Sequence, residues 1–324
     1  MTLADPATDR RDERVGIAAA VGAAVVYGAA YPATAIGLRS FSPLAVAGLA
    51  NTIALVIVVV LAVVGLIPRT SPERLTTPRV TRLLVLAAFG GLLFIAATNI
   101  AVAISGPTIT GFVAPLYAVF ATVFAVPLLG ERVRPAVLVA FVLAFAGTAL
   151  LAGTTPAGIP IAGALIAFLS AAMFGLYIVL ARRWSVPYHL DGTLVTIANL
   201  VGRGPILLVI ALSTNPAGVL PASPDPTAIL AVLFVAVGSS SSGNLLLMAS
   251  VRRVPAARTG GALLLTPLAS AVIAAVLLGD HLTPGGLVGA TLILVAMALA
   301  AGLLRPVLAR VVRVAEGPTS ASPR

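Results

Sequence analysis

Long apolar segments separated by short polar connectors run through almost the whole sequence. Each segment contains about 20 residues, which is enough for a helix rising about 1.5 Å per residue to cross the ~30 Å hydrocarbon core of a bilayer. The pattern predicts ten transmembrane helices, at 15–38, 43–67, 82–104, 108–129, 135–152, 159–181, 191–213, 227–250, 256–279 and 283–304. We therefore expect an all-α integral membrane protein.

Composition agrees with this prediction. Of the 324 residues, 60% are hydrophobic and 9% are charged, a balance that no soluble core of this size requires. A net charge of +10 would suggest a nucleic-acid partner for a soluble protein, but basic residues in short connectors are better explained by orientation in the bilayer. We expect contact with membrane lipid and none with nucleic acid. The absence of cysteine excludes disulfides and thiol catalysis.

The arginines predict the orientation of the helices. If the N-terminus is cytoplasmic, 18 of the 20 basic residues fall in cytoplasmic segments, the outer connectors hold only Arg39, and Arg203 belongs to no connector. The cytoplasmic set is Arg10, Arg11, Arg14, Arg69, Arg74, Arg79, Arg82, Arg132, Arg134, Arg182, Arg183, Arg252, Arg253, Arg258, Arg305, Arg310, Arg313 and Arg324. Both termini are therefore expected in the cytoplasm of a chain that crosses the plasma or inner membrane many times.

An internal repeat divides the chain into two halves. "TGFVAPLYAVFATVFAVPLLGERVRP", starting at Thr110, resembles "TGGALLLTPLASAVIAAVLLGDHLTP", starting at Thr259, at an offset of 149 that also pairs Gly130 with Gly279. Five helices per half is an odd number, so the second half must enter the membrane upside down. Inverted repeats with a site at their interface are typical of secondary transporters.

The repeat and the polar ends give a domain division. We expect a first five-helix repeat at 15–152 and a second at 159–305, flanked by cytoplasmic tails at 1–14 and 306–324. Because the N-terminal tail is polar and the first apolar segment is full length, a retained span is favoured over a cleaved signal peptide.

The stretch "NLLLMASVRRVPAARTGGALLLTPLASAVIAAVLLGDHLTPGGLVGATLILVAMALA", from Asn244 to Ala300, has a short basic turn with Pro, an apolar helix ending in Leu-Gly-acid, a Thr-Pro start and a Gly-rich last helix. In this stretch, and more loosely in "LSAAMFGLYIVLARRW" and "SPLAVAGLAN", the chain resembles the EamA-type members of the drug/metabolite transporter superfamily; the resemblance covers about residues 15 to 305. The first helix has Tyr27-Gly28 where the family usually has Trp-Gly, and Asn51 lies near the place of a frequent arginine. The resemblance implies two five-helix repeats and export or exchange of amino acids and other small metabolites by alternating access.

Polar residues deep in the predicted spans are candidates for substrate binding, because a polar group in the bilayer is costly unless it faces protein or water. The resemblance implies that their helices surround a central cavity. The candidates are Tyr27, Tyr31, Asn99, Thr110, Tyr117, Tyr177, Ser240, Asn244, Thr259 and Thr266. For the small hydroxyls, a hydrogen bond to a carbonyl of the same helix is an equally open interpretation.

Arg203 is the one basic residue predicted near the middle of a span, in "NLVGRGPILL". Asn199, four residues earlier, shares its helix face, and Pro205 leaves one carbonyl without its helical partner, so a structural role is one interpretation. Recognition of a substrate carboxylate by the guanidinium is the second. A shift of the helix that brings Arg203 towards the surface is the third.

All ten Asp and Glu residues lie in tails, connectors or helix ends. Proton coupling through an embedded carboxylate is therefore not predicted, and facilitated efflux or exchange fits better. A channel or a structural membrane protein is an alternative. An intramembrane serine protease would need Ser240 of "GSSSSGN" close to His281, yet His281 lies in an outer connector, so no enzyme is expected.

Other polar and small residues are expected to have structural roles. Glu131 and Asp280 lie at helix ends, where interfacial or capping roles are expected. The histidines are too isolated to bind a metal, and no cofactor is expected. Gly285 and Gly289 form a GxxxG motif, which is compatible with a homodimer through Gly-rich helix faces or with close packing inside the bundle.

Overall fold

The computed structural model describes residues 6–66, 76–131, 135–153, 161–185, 187–251, 253–254 and 256–304, and contains helices and no strand in these ranges. The α-helices are α1 Pro6–Gly37, α2 Pro43–Val63, α3 Thr77–Leu86, α4 Phe94–Val113, α5 Tyr117–Leu129, α6 Pro135–Gly153, α7 Ile161–Ser185, α8 Gly192–Val201, α9 Leu207–Thr214, α10 Pro226–Phe234, α11 Asn244–Val251, α12 Ala256–Leu263, α13 Leu265–Leu278 and α14 Pro284–Ala300. The predicted C-terminal tail, 306–324, and part of the N-terminal tail lie outside the described residues, as do Arg69, Arg74, Arg132, Arg134 and Arg252.

Within the described ranges, seven helical stretches are long and apolar enough to cross a membrane, and the shorter apolar helices are Leu138–Leu151 and Pro284–Ala300. One of the seven, Thr77–Leu129, has 53 residues, roughly twice the length that a bilayer requires. It is interrupted at Gly106, whose φ of 79° and ψ of 170° are not helical. Since Pro107 follows and cannot donate a backbone hydrogen bond, this is where the sequence predicts the connector between two spans.

π-helical segments replace α-helix at Ala87–Leu93, Gly202–Ile206 and Val235–Gly243. The middle segment contains Pro205, whose missing N–H and bulky ring disfavour regular α-helix. The helix predicted at 191–213 therefore continues through its Gly-Arg-Gly-Pro stretch as α8, the π segment and α9. The helix predicted at 82–104 begins earlier in the structure, at Thr77. The ends of the one predicted at 256–279 agree with the structure, but a turn at Leu264 divides it into α12 and α13.

Polar side chains and glycines define the helix ends. The Asp191 carboxylate accepts a hydrogen bond from the Leu194 N–H at 2.7 Å, and Thr283 caps α14 through the Gly286 N–H at 3.1 Å. Gly130 and Gly279, paired by the internal repeat, end α5 and α13 with φ values of 68° and 67°. This left-handed conformation favours glycine, so both repeats end the same helix in the same way.

The two halves pack through equivalent helices. α1 lies against α13, and α7 lies against α5. A Cβ atom on Gly28 would be 2.6 Å from the Thr266 carbonyl oxygen, and one on Gly175 would be 3.0 Å from the Tyr117 carbonyl oxygen. Because Tyr117 and Thr266 are related by the offset of 149, these contacts are the two versions of one helix crossing. Glycine is required there so that the backbones can meet.

The last helix of each half completes the interface, since α6 packs against α14. A Cβ on Gly147 would lie 2.7 Å from the Gly289 carbonyl oxygen, and a Cβ on Gly289 would lie 2.7 Å from that of Gly147. Gly289 of the GxxxG motif is thus used for packing inside the bundle. Large apolar side chains such as Val142 and Val276 cover the outer surface instead, as expected for a lipid-facing exterior.

Candidate functional site

A cavity of about 220 Å³ lies between the two halves. Its lining comes from α1, α2, α4, α5, α7, α11, α12 and α13, the segment Ala114–Leu116 and the π segments Gly202–Ile206 and Val235–Gly243. Eight of the twelve candidate residues contribute to it: Arg203, Tyr27, Tyr31, Asn99, Tyr117, Ser240, Asn244 and Thr266. Equivalent helices of the two repeats therefore bring their polar positions to one internal space.

Arg203 carries the only charged side chain among the described residues that line this cavity. Its Nε is buried without a hydrogen-bond partner, and within the described part of the chain the guanidinium makes neither a hydrogen bond nor an ion pair. Tyr27 and Tyr177 are close enough to interact with it electrostatically. The expected backbone carbonyl and Asn199 do not bond to it, so the described residues provide no partner for a charge that burial makes costly.

A hydrogen-bond network crosses the cavity wall from α1 to α2. The Tyr27 hydroxyl donates to Asn244 Oδ1 at 2.8 Å, and Asn244 Nδ2 donates to the Ser240 carbonyl at 2.7 Å. The Ser240 hydroxyl donates to Asn51 Oδ1 at 3.0 Å. These bonds hold four polar side chains in place, and the side-chain oxygen of each asparagine accepts one of them. The wall is consequently preorganised and already partly satisfied.

Aromatic rings form another part of the lining. The Phe94 and Phe174 rings stack with their centroids 4.3 Å apart, and the Tyr117 ring meets Phe174 edge-on at 4.9 Å. Both geometries are favourable for aromatic pairs. Together, Phe94, Phe174 and Tyr117 make an aromatic wall that offers apolar contact to anything bound in the cavity.

The remaining polar lining residues bond mainly to their own helices. The Thr98 hydroxyl donates to the Phe94 carbonyl at 2.8 Å, and Asn99 Nδ2 donates to the Ile95 carbonyl at 2.9 Å. The Asn99 Oδ1 has no hydrogen bond to described residues. For Thr98 the carbonyl-bonding interpretation therefore holds, whereas Asn99 keeps one acceptor available to a ligand.

Four candidate residues do not line the cavity. The Thr110 hydroxyl donates to the Gly106 carbonyl at 2.9 Å, and Thr259 shares a hydrogen bond with Ser250 at 2.9 Å, so both hydroxyls are used for packing. Asn199 and Tyr177 do not line the cavity either, and the Asn199 Oδ1 is buried with no hydrogen-bond partner among the described residues. The Tyr177 ring packs directly against Gly90, which places it against the π segment Ala87–Leu93.

The candidate list omitted several lining residues. Most informative are Phe94 and Phe174, because an aromatic residue in an apolar helix gives no sign in the sequence of whether it faces lipid, the core or a cavity. Asn51 was noted only as a departure from the family pattern, although its depth in the second helix could have identified it. The others of interest are Thr34, Thr98 and Ser239.

Glu131, Asp280 and His281 lie outside this cavity. Glu131 forms an ion pair with Arg182 at 2.8 Å, on an exposed surface. Asp280 and His281 line a separate pocket of about 440 Å³ beside Gly106 and Thr108. Ser240 lines the cavity and donates to Asn51, whereas His281 lines this other pocket, so the structure separates the two residues that the protease alternative would bring together.

Comparisons with known proteins agree with this geometry. The sequence model of the EamA-like transporter family matches residues 14–153 and 161–302. One solved structure, titled "Crystal structure of protein", superposes with a TM-score of 0.63 and 20% sequence identity, covering 92% of this chain and 99% of that chain. A search of curated proteins gave no match. The likeness to the solved structure concerns the fold alone, whereas the family match extends over both repeats.

Proposed function

The chain belongs to the EamA-like transporter family and is thus a multi-pass membrane transporter of the drug/metabolite transporter superfamily, and we propose that its substrate is a small metabolite with a carboxylate group. This substrate is an amino acid or a related organic acid, and it leaves the cell by efflux or exchange. The observation behind this proposal is the unpartnered guanidinium of Arg203 in the cavity between the repeats. A carboxylate has two oxygens that can accept a pair of hydrogen bonds from this guanidinium, which none of the described residues does.

Alternating access fits the way the halves meet. The crossing of α1 with α13 and that of α7 with α5 are related by the internal repeat. Two halves of this kind exchange roles when the cavity changes the side on which it opens. The described lining contains no Asp, Glu or His, so the proposal includes no proton relay through the cavity.

The proposed topology has ten spans, two inverted halves and both termini in the cytoplasm. Splitting Thr77–Leu129 at Gly106 and counting the two shorter helices gives ten. Because the chain has no cysteine, single cysteines can be introduced to test this. Asn215→Cys should react with an impermeant maleimide on intact cells, whereas Thr77→Cys should react only after permeabilisation. The reverse labelling would reject the topology.

Counterflow tests the transport proposal. Purified protein in liposomes preloaded with an unlabelled carboxylate should accumulate the labelled compound, and Arg203→Gln should abolish this uptake. Arg182→Gln is the matched control, because it removes an exposed arginine outside the cavity and should leave uptake intact. Flux that neither saturates nor responds to substrate on the other side would indicate a channel. Undiminished counterflow in Arg203→Gln would reject the proposed role of the guanidinium.

A further inference from the structure

We infer that the cavity selects a net monoanion, a carboxylate on a flat apolar body, over the corresponding zwitterionic amino acid and over any cation. This inference rests on the proposed carboxylate recognition by Arg203 and narrows its substrate class. Its basis is the charge balance of the cavity together with the aromatic wall.

The charge balance is one-sided. Arginine stays protonated in proteins, so Arg203 carries one positive charge, and the described lining contains no carboxylate. A bound monoanion brings the net charge of the site to zero. A bound zwitterion leaves it at one positive charge and places an ammonium group within a few ångströms of the guanidinium, where like charges repel strongly in a medium of low dielectric constant.

Neutral acceptors compensate an ammonium group poorly here. An ammonium group has three hydrogens to donate. The oxygens of Asn244 and Asn51 each already accept one hydrogen bond, from Tyr27 and Ser240, and Asn99 Oδ1 accepts none in the described structure. These oxygens and the lining hydroxyls can accept from an ammonium group, but none of them carries a negative charge, so the ammonium charge stays uncompensated beside Arg203.

The aromatic wall indicates the body of the ligand. Arg203 lines the same cavity as Phe94, Phe174 and Tyr117. A carboxylate bound to Arg203 therefore leaves the rest of the ligand in a space that these three rings border. A cavity of about 220 Å³ lies below the ~300–1,000 Å³ usual for drug-sized ligands, which suits a single ring or a short chain.

Three probes with the same phenyl-alkyl body test this inference: 3-phenylpropionate, phenylalanine and 2-phenylethylamine. Their affinities are measured for the full-length protein in nanodiscs by isothermal titration calorimetry. We expect 3-phenylpropionate to bind at least about tenfold more tightly than phenylalanine, because an uncompensated ammonium group costs more than the ~1.4 kcal/mol that corresponds to tenfold. No binding is expected for 2-phenylethylamine.

Two variants locate the effect. Arg203→Gln should abolish binding of the anion. Phe174→Leu should weaken it by about threefold to tenfold, whereas Phe145→Leu, which changes an exposed phenylalanine outside the cavity, should leave it unchanged.

The outcomes separate this inference from the proposal beneath it. Phenylalanine binding as tightly as 3-phenylpropionate, with both affinities lost in Arg203→Gln, would overturn the preference for a net anion and leave carboxylate recognition standing. Affinities that do not change in Arg203→Gln would reject the proposed function and the inference together. Failure of all three probes to bind would overturn the assignment of a ring-bearing carboxylate.

Discussion

Replacing Arg203 by glutamine should make the empty protein more stable while removing its response to substrate. The guanidinium has no hydrogen bond or ion pair in the described structure, and its Nε is fully buried. In a protein whose arginine serves packing, the same substitution would be destabilising. The sign of the change in melting temperature therefore distinguishes the two interpretations.

The expected size follows from the cost of the charge. Insertion scales assign an arginine near the centre of a membrane helix a penalty of about 2.5–3.5 kcal/mol. Glutamine removes the charge but leaves a buried amide, which costs about 1–2 kcal/mol without a partner, so we expect a net gain of about 1–2 kcal/mol. At the roughly 2 °C per kcal/mol that applies to larger domains, the melting temperature of the empty variant should rise by about 2–4 °C.

The ligand response should move in the opposite direction. A carboxylate at 100 times its Kd stabilises the wild-type protein by about 2.7 kcal/mol, or roughly 5 °C, and should not stabilise the variant. Differential scanning fluorimetry in nanodiscs, at one scan rate with and without ligand, measures both effects. Cellular abundance of Arg203→Gln should stay near the wild-type level.

Arg203→Lys provides a second control. Lysine keeps the positive charge but lacks the planar fork that holds two carboxylate oxygens. It should give no gain in stability and only a weakened ligand response. If empty Arg203→Gln melts below the wild type, or still shifts with ligand as the wild type does, the guanidinium serves packing and the reasoning is refuted.

Three further predictions test the packing, the cavity and one helix end. Gly28→Val should strongly reduce the amount of folded protein in membranes, because its Cβ would lie 2.6 Å from the Thr266 carbonyl oxygen. Gly22→Val should be tolerated, because its Cβ would meet its nearest neighbour at an ordinary 3.5 Å. Equal abundance of the two variants would contradict the close crossing of α1 and α13. Counterflow of a strong organic acid should vary little between about pH 5.5 and 8, because no Asp, Glu or His is among the described lining residues, and a steep dependence would show a proton-coupled step. The Thr227 hydroxyl and N–H donate to the Asp225 carboxylate and hold its pKa below the usual 3.8. The stability that Asp225 adds to α10 is therefore complete above pH 3.8 and is lost as the pH falls through the lowered pKa. The difference in melting temperature between wild type and Asp225→Asn should shrink as the buffer is acidified below pH 3.8, and a constant difference would contradict this.

The sequence predicted the helices well because turn chemistry is local. Prolines after Ser42, Asp225 and Thr283 start helices in the structure, and Gly130 and Gly279 end two of them. Each signal depends only on backbone constraints of adjacent residues. The internal repeat was visible for the same reason, since the two copies keep these signals at equal spacing.

The faces of the helices could be predicted only in part. Thr110 and Thr259 were expected beside the cavity but hydrogen-bond within the packed bundle, while Thr98 and Thr34 line it. The rotation of a helix depends on which glycine meets which neighbouring backbone, and that is a property of pairs of helices. In an apolar span, periodicity gives little help, because lipid-facing and core-facing positions are both hydrophobic.

The isolation of Arg203 could not be predicted either. The sequence provided two candidate partners, Asn199 and the carbonyl freed by Pro205, at suitable spacing. In the structure the chain around Pro205 forms a π-helical segment, and the Asn199 Oδ1 is buried with no hydrogen-bond partner among the described residues. Whether a buried charge finds a partner depends on side-chain geometry that spacing alone does not determine.

The most direct test of the central claim is a cryo-electron microscopy structure of the full-length protein in nanodiscs with a saturating carboxylate that carries a bromophenyl ring. We expect both carboxylate oxygens at roughly 2.7–2.9 Å from guanidinium nitrogens of Arg203, with the ring against Phe174. A ligand bound elsewhere, or an Arg203 that donates to backbone carbonyls beside an empty cavity, would contradict the account.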